Sequence, residues 1–174
     1  MFLVFLHKKL VYTKRLLILF LLIYSAEGVA MSFFTKPEEE IVLGSPMEGK
    51  LTLHGKPVVG ARMVRWITWK DETGETDTTY INEDGRFNLP VIKVKAKLNK
   101  IVQFVAHQEI NVSYKGNQYQ IWVMGKFGKG MFSELNGKPI NFRCELTDEI
   151  RRVETDDGLL GTSCKWDSIE TYKE

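Results

Sequence analysis

Only two of the 174 residues are cysteine, three are histidine and five are proline. Each scarcity excludes something. The cysteines, Cys144 and Cys164, and the histidines outside the N-terminal leader, His54 and His107, are scattered without ligand spacing. A zinc site is therefore not expected. A nucleophilic triad needs a histidine able to meet a serine or cysteine. His54 sits beside a turn in "LHGKP" and His107 lies mid-strand in "VAHQE", so both read as ordinary surface or core residues. There is no internal repeat and no low-complexity tract. There is no phosphate loop either, because "GKFGKG" lacks the G-x-x-x-x-G-K-[ST] spacing. No catalytic residue, cofactor or metal site is expected.

Long apolar runs are also missing. The longest, "LLILFLLIY" from Leu16 to Tyr24, is shorter than the ~20 residues that span a bilayer. It follows Lys8, Lys9, Lys14 and Arg15 and precedes "SAEGVA", where Gly28 and Ala30 have cleavage spacing. This is the three-part pattern of a secretory signal peptide over residues 1–30. The alternative is an uncleaved anchor in the inner membrane. No cysteine follows the run, which argues against a lipoprotein. Removing the four basic residues and one acid of the leader from 24 and 22 leaves 20 against 21. A chain so balanced, with no sustained basic patch, offers little to nucleic acid. The expected location is the periplasm, with membrane contact only through the leader. In an exported chain an even cysteine count favours a disulfide, Cys144–Cys164. Closing a loop of 20 positions would stabilise the fold by roughly 3 kcal/mol.

The composition is 44% hydrophobic and 26% charged, which supports one packed domain. Residues 31–47 read as a lead-in, in which Pro37 and three acids could open a short helix. Residues 48–174 read as strands. "KLTL" leads into the turn "HGKP", and "GARMVRWITW" is a longer strand. "NEDG" and "KGNQ" are strong hairpin signals. "KVKAKLNK" reads as a basic connection, and a polar segment separates "INFRCEL" from "GTSCKW". About seven to eight short strands with little helical periodicity predict an all-β antiparallel sandwich.

"GKLTLHGKPVVGARM" followed by "TTYINEDGRFNLP" resembles the carboxypeptidase regulatory-like domain, a transthyretin-like β-sandwich. The matching positions are Gly49, Gly55, Pro57, Gly60, Ala61, Thr79, Gly85 and Phe87. The whole chain also resembles a family of small exported bacterial proteins known only as a domain of unknown function. There the same hairpin leads to a "CELTDE" segment, here Cys144–Glu149, and to a second cysteine, here Cys164. That resemblance implies no catalysis, and some relatives are expected beside secretion-system toxins.

One strand carries Arg65, Trp66 and Trp69. The odd spacing of the two tryptophans sends them to opposite faces, and an exposed Trp next to an Arg is typical of binding hot spots. The adjoining "DETGETD" loop supplies Asp71, Glu72, Glu75 and Asp77, but lacks the Gly and Glu of an EF-hand. The "NVS" triplet at Asn111–Ser113 lies within a strand and is read as coincidental. These features imply a non-catalytic module that binds a protein partner, a toxin or an envelope protein. The concrete expectation is an immunity protein that neutralises a secretion-system toxin. The alternative is a structural or carbohydrate-binding envelope module.

Overall fold

The computed structural model describes residues 37–70, 74–98 and 103–169. The expected leader, 1–30, lies outside them. The chain divides into two units, Met1–Pro37 and Glu38–Glu174, and every described strand belongs to the second. The fold is all-β. Among the described residues there is no α-helix, and no helix is long and apolar enough to cross a membrane.

Thirteen strands occur among the described residues, more than the seven or eight expected. They are β1 (Glu39–Gly44), β2 (Met47–Leu53), β3 (Lys56–Pro57), β4 (Arg62–Trp69), β5 (Glu75–Tyr80), β6 (Arg86–Leu89), β7 (Ile92–Ala96), β8 (Ala106–Tyr114), β9 (Asn117–Lys126), β10 (Arg143–Glu145), β11 (Arg151–Thr155), β12 (Gly158–Thr162) and β13 (Cys164–Lys165). A single 3-10 turn covers Ser133–Leu135. Three of these strands correct the sequence reading. Glu39 and Glu40 begin β1 and pair with Ala96 and Lys95 of β7, so "KPEEE" opens a strand and not a helix. The first half of the "basic connection" belongs to β7, where Lys93 and Lys95 alternate with apolar residues and face water as lysines do on many edge strands. The polar segment before "GTSCKW" contains β11, which turns back into β12.

The strands form three sheets. β1 and β7 make a two-stranded ribbon. A five-stranded sheet runs β13-β10-β2-β3, with β6 also on β2. A six-stranded open sheet runs β11-β12-β9-β8-β4-β5. One pair departs from the expected antiparallel pattern: β10 runs parallel to β2, placing Cys144 beside Leu51 and Glu145 beside Thr52.

Local chemistry explains the turns. The β8–β9 loop is Lys115-Gly116 with φ of 48° and 80°, and the β2–β3 loop is His54-Gly55 with φ of 52° and 74°. Two consecutive left-handed residues match the twist of a tight hairpin. Asn82 Oδ1 accepts hydrogen bonds from the N–H groups of Asp84 (3.1 Å) and Arg86 (2.7 Å), which fixes the "NEDG" turn into β6. Gly85 is required there: φ is +75°, and a Cβ would lie 2.9 Å from Pro57 Cβ.

Strict alternation in β4 turns Met63, Arg65, Ile67 and Trp69 inward and Arg62, Val64, Trp66 and Thr68 outward. β9 breaks the rule usefully. A bulge opposite Ile110 and Asn111 leaves Ile121 as an extra residue, so Ile121 and its neighbour Trp122 are both buried. The main core combines residues of both larger sheets, among them Leu51, Phe87 and Leu89 from one and Met63, Ile110 and Met124 from the other. A second core joins the ribbon residues Ile41 and Leu43 to Ile67, Trp69 and Ala106. In the main core Phe142 stacks on Trp166 at 5.4 Å and meets Trp122 at 6.1 Å. Cys144 and Cys164 are opposite each other on β10 and β13 and form a disulfide, as expected from their number and setting.

Candidate functional site

β4 belongs to both cores: Met63 faces the main one, Ile67 and Trp69 the second. Arg65 falls between them and has no exposed surface. A buried guanidinium must find acceptors for its rigid fork of donors. Arg65 Nε and Nη2 donate to the two carboxylate oxygens of Asp77 on β5, at 3.0 and 2.9 Å. Nη1 donates to Ser45 O at 2.8 Å, and Nη2 also donates to Pro90 O.

A second buried charge pair completes a polar seam. Lys126 ends β9, fully buried, and donates to Gly130 O (2.9 Å), Ser133 Oγ (2.6 Å) and Glu134 Oε2. Glu134 Oε1 accepts from Ser45 N–H at 2.9 Å, and Ser45 Oγ accepts from Phe132 N–H at 2.7 Å. Ser45, between β1 and β2, thus joins the two ion pairs: its carbonyl serves Arg65 and its N–H serves Glu134. Gln108 Nε2 donates to Leu43 O beside them, at 2.6 Å. Sequence reasoning missed this seam, because Lys126 and Glu134 sit in what reads as a Gly-rich loop.

The sequence-derived patch is divided by the sheet. Trp66 points outward and keeps 39% of its surface exposed. Trp69 points inward at 8%, tilted against Phe104 at 5.8 Å, with Lys70 Nζ 4.0 Å from its ring centre. Arg65 lies inside with Asp77, so neither of the two forms part of the outer surface that carries Trp66. Glu75 is exposed at the start of β5, cross-strand from Ile67. Asp71 and Glu72 lie outside the described residues. Across the outer face, register sets Thr76, Trp66, Glu109, Val123 and Gly161 in one row. Thr78, Val64, Asn111 and Gln120 form the next row. Val123, Ile150 and Leu159 are exposed apolar residues toward the β12 side.

One carboxylate lies apart from this face. Glu145 on β10 accepts from Thr52 Oγ1 (2.8 Å), His54 N–H (2.8 Å), Gly55 N–H (3.0 Å) and Thr147 Oγ1 (2.8 Å). Partial burial pushes its pKa up. The hydrogen bonds from Gly55, Thr52, Thr147 and His54 outweigh that and bring it down from 4.5 to about 2. Such a carboxylate is an anchor for the His54-Gly55 turn and a poor proton carrier at neutral pH. His54 and His107 are both exposed. Among the described residues no group of three or more His, Cys, Asp or Glu is placed to hold a metal ion.

The sequence pattern of a family described as a domain of unknown function, DUF6795, matches residues 47–149. The chain belongs to that family. No curated protein and no solved structure matches it. The DUF6795 segment begins at the first residue of β2 and ends four residues after Glu145. It contains Arg65, Trp66, Asp77, Lys126, Glu134 and the Glu145 clamp. It omits Ser45, which links the two buried pairs, and Cys164, which completes the disulfide.

Proposed function

We propose that this DUF6795 protein is a non-catalytic, exported protein-binding module whose docking face is the outer side of the six-stranded sheet, and that its role is immunity against a secretion-system toxin. The observation that carries the reading is Trp66: a large aromatic held outward on an interior strand of the sheet, whose opposite face carries the buried Arg65–Asp77 pair. Rigid, half-exposed aromatics of this kind make binding anchors because little entropy is lost when they are covered. Val123, Ile150 and Leu159 would extend the contact. The disulfide supports a location in an oxidising compartment. The core shared by the two larger sheets, together with positive φ at Gly55, Gly60 and Gly85, supports the transthyretin-like sandwich reading.

The test is affinity capture from envelope extract with the disulfide-bonded protein as bait. A specific toxin should be retained, and the double variant Trp66→Ala/Val123→Lys should lose it while keeping its unfolding midpoint. Deletion of the gene should make cells sensitive to sibling cells that deliver the toxin. Resistance that survives the deletion would end the immunity reading.

A second reading has its own support. Around Trp66 the outer face offers the uncharged groups Thr76, Thr78 and Asn111, which suit the hydroxyls of a glycan stacked on the indole. Glycan-array binding abolished by Trp66→Ala, with no protein captured, would select the carbohydrate-binding alternative.

A further inference from the structure

Lys126 and Glu134 are in direct contact with side-chain exposures of 0% and 3%, and their other hydrogen bonds among the described residues are to Gly130 O, Ser133 Oγ and Ser45 N–H. Two ions taken out of water are expensive even when paired, because the attraction seldom repays both hydration shells. Condensation to an amide would remove both charges and release one water. From this geometry we propose that Lys126 and Glu134 join in an intramolecular isopeptide bond, formed by the folded protein itself.

The parts needed for the reaction are in place. The nucleophile is Lys126 Nζ, and the electrophile is Glu134 Cδ, whose Oε2 touches Nζ. Ser45 N–H, 2.9 Å from Oε1, is positioned to stabilise the negative charge that this oxygen gains in a tetrahedral intermediate. In the first step one Nζ proton moves to Oε2, which leaves Nζ a lone pair for attack. The Nζ–Cδ bond forms. A second Nζ proton passes to the departing Oε2, which Nζ contacts directly. The Cδ–Oε2 bond breaks, and Oε2 leaves as water. The balance is ammonium plus carboxylate giving secondary amide plus water, with no oxidant or cofactor. Holding both groups in contact supplies an effective molarity on the order of 10⁵–10⁸ M, the term that ordinary amines and acids in solution lack. The link would close the Gly-rich loop from β9 to the 3-10 turn covalently, independently of the disulfide.

Mass spectrometry decides it. The folded wild-type protein, with its disulfide reduced and alkylated, should be lighter by one water than its sequence requires. Tryptic digestion should yield Gly116–Lys129 joined to Gly130–Arg143, because an acylated Lys126 resists cleavage. Protein recovered from inclusion bodies and kept in denaturant, so that it has never folded, should have the full mass and lose the water only after refolding. Lys126→Arg and Glu134→Ala should both have their full masses. Folded wild-type protein with its full sequence mass, releasing Phe127–Lys129 as a free tryptic peptide, would overturn the proposal. That measurement needs no variant to fold and does not depend on the binding role.

Discussion

A guanidinium with no exposed surface has to find acceptors for its nitrogens, and all three nitrogens of Arg65 donate, in four hydrogen bonds to Asp77, Ser45 and Pro90. Removing it leaves a carboxylate and two carbonyls facing a void. Arg65→Ala should therefore cost about 3–5 kcal/mol, read from urea unfolding. The double variant Arg65→Met/Asp77→Val should recover part of that loss, because no ion is left unpaired. Glu145 gives a pH-dependent counterpart. Its folded pKa of about 2 lies below the ordinary 4.5, so its contribution is fully present above about pH 4.5. That contribution is lost as pH falls through about 2. It is of order 1–3 kcal/mol after allowance for solvent screening. In Glu145→Gln the acid limb of the stability profile should be flatter between pH 5 and 2, measured by unfolding midpoints. An unchanged acid limb would mean that the clamp contributes nothing to folding. Neither residue announces its role in the sequence. Arg65 beside Trp66 reads as surface chemistry, and only the alternation of β4, with Arg65 in phase with Met63 and Ile67, points to burial.

At the scale of elements, legibility followed turn chemistry. The β8–β9 hairpin, the "NEDG" corner and the long strand β4 could be read because tight turns and alternation are local signals. β1 was hidden because Ile41, Val42 and Leu43 are all buried, which erases alternation. β7 was hidden for the opposite reason: its lysines alternate with apolar residues, and their charge reads as a linker although it protects an edge. β11 offers only Val153 as a buried residue, too little pattern to separate a strand from a polar loop. The buried pair Lys126–Glu134 depends on tertiary placement of the loop after β9, which no local signal carries. The turn that was legible can also be improved. Lys115 takes φ of 48°, a conformation that Asn adopts more readily than Lys. Lys115→Asn should raise stability by about 0.5–1 kcal/mol in urea unfolding, with no change in the β8–β9 register by NMR.

At the scale of the whole molecule, the family segment and the folding unit differ. The DUF6795 match spans 47–149, whereas the described strands that share the two cores run from β1 at Glu39 to β13 at Lys165. A fragment limited to 47–149 loses β11 and β12, so β9 gives up its pairs Trp122↔Thr162 and Met124↔Leu160. It loses Cys164 and Trp166, and with them the disulfide and the aromatic stack on Phe142. It also loses Ser45, the acceptor for Arg65 and the donor to Glu134, so two buried charges lose a partner. Among the described residues, seven buried apolar ones lie outside the segment: Ile41, Val42, Leu43, Val153, Leu160, Cys164 and Trp166. At about 1.5–3 kcal/mol for a large side chain, their loss matches the ~5–15 kcal/mol by which a whole domain is stable. The fragment 47–149 should therefore show no near-ultraviolet dichroism and no dispersed amide spectrum. A fragment 38–169 should unfold cooperatively when oxidised and lose roughly 3 kcal/mol on reduction. A dispersed, cooperative 47–149 would mean that the outer strands are additions to a self-sufficient core, and that the buried charges tolerate the loss of Ser45.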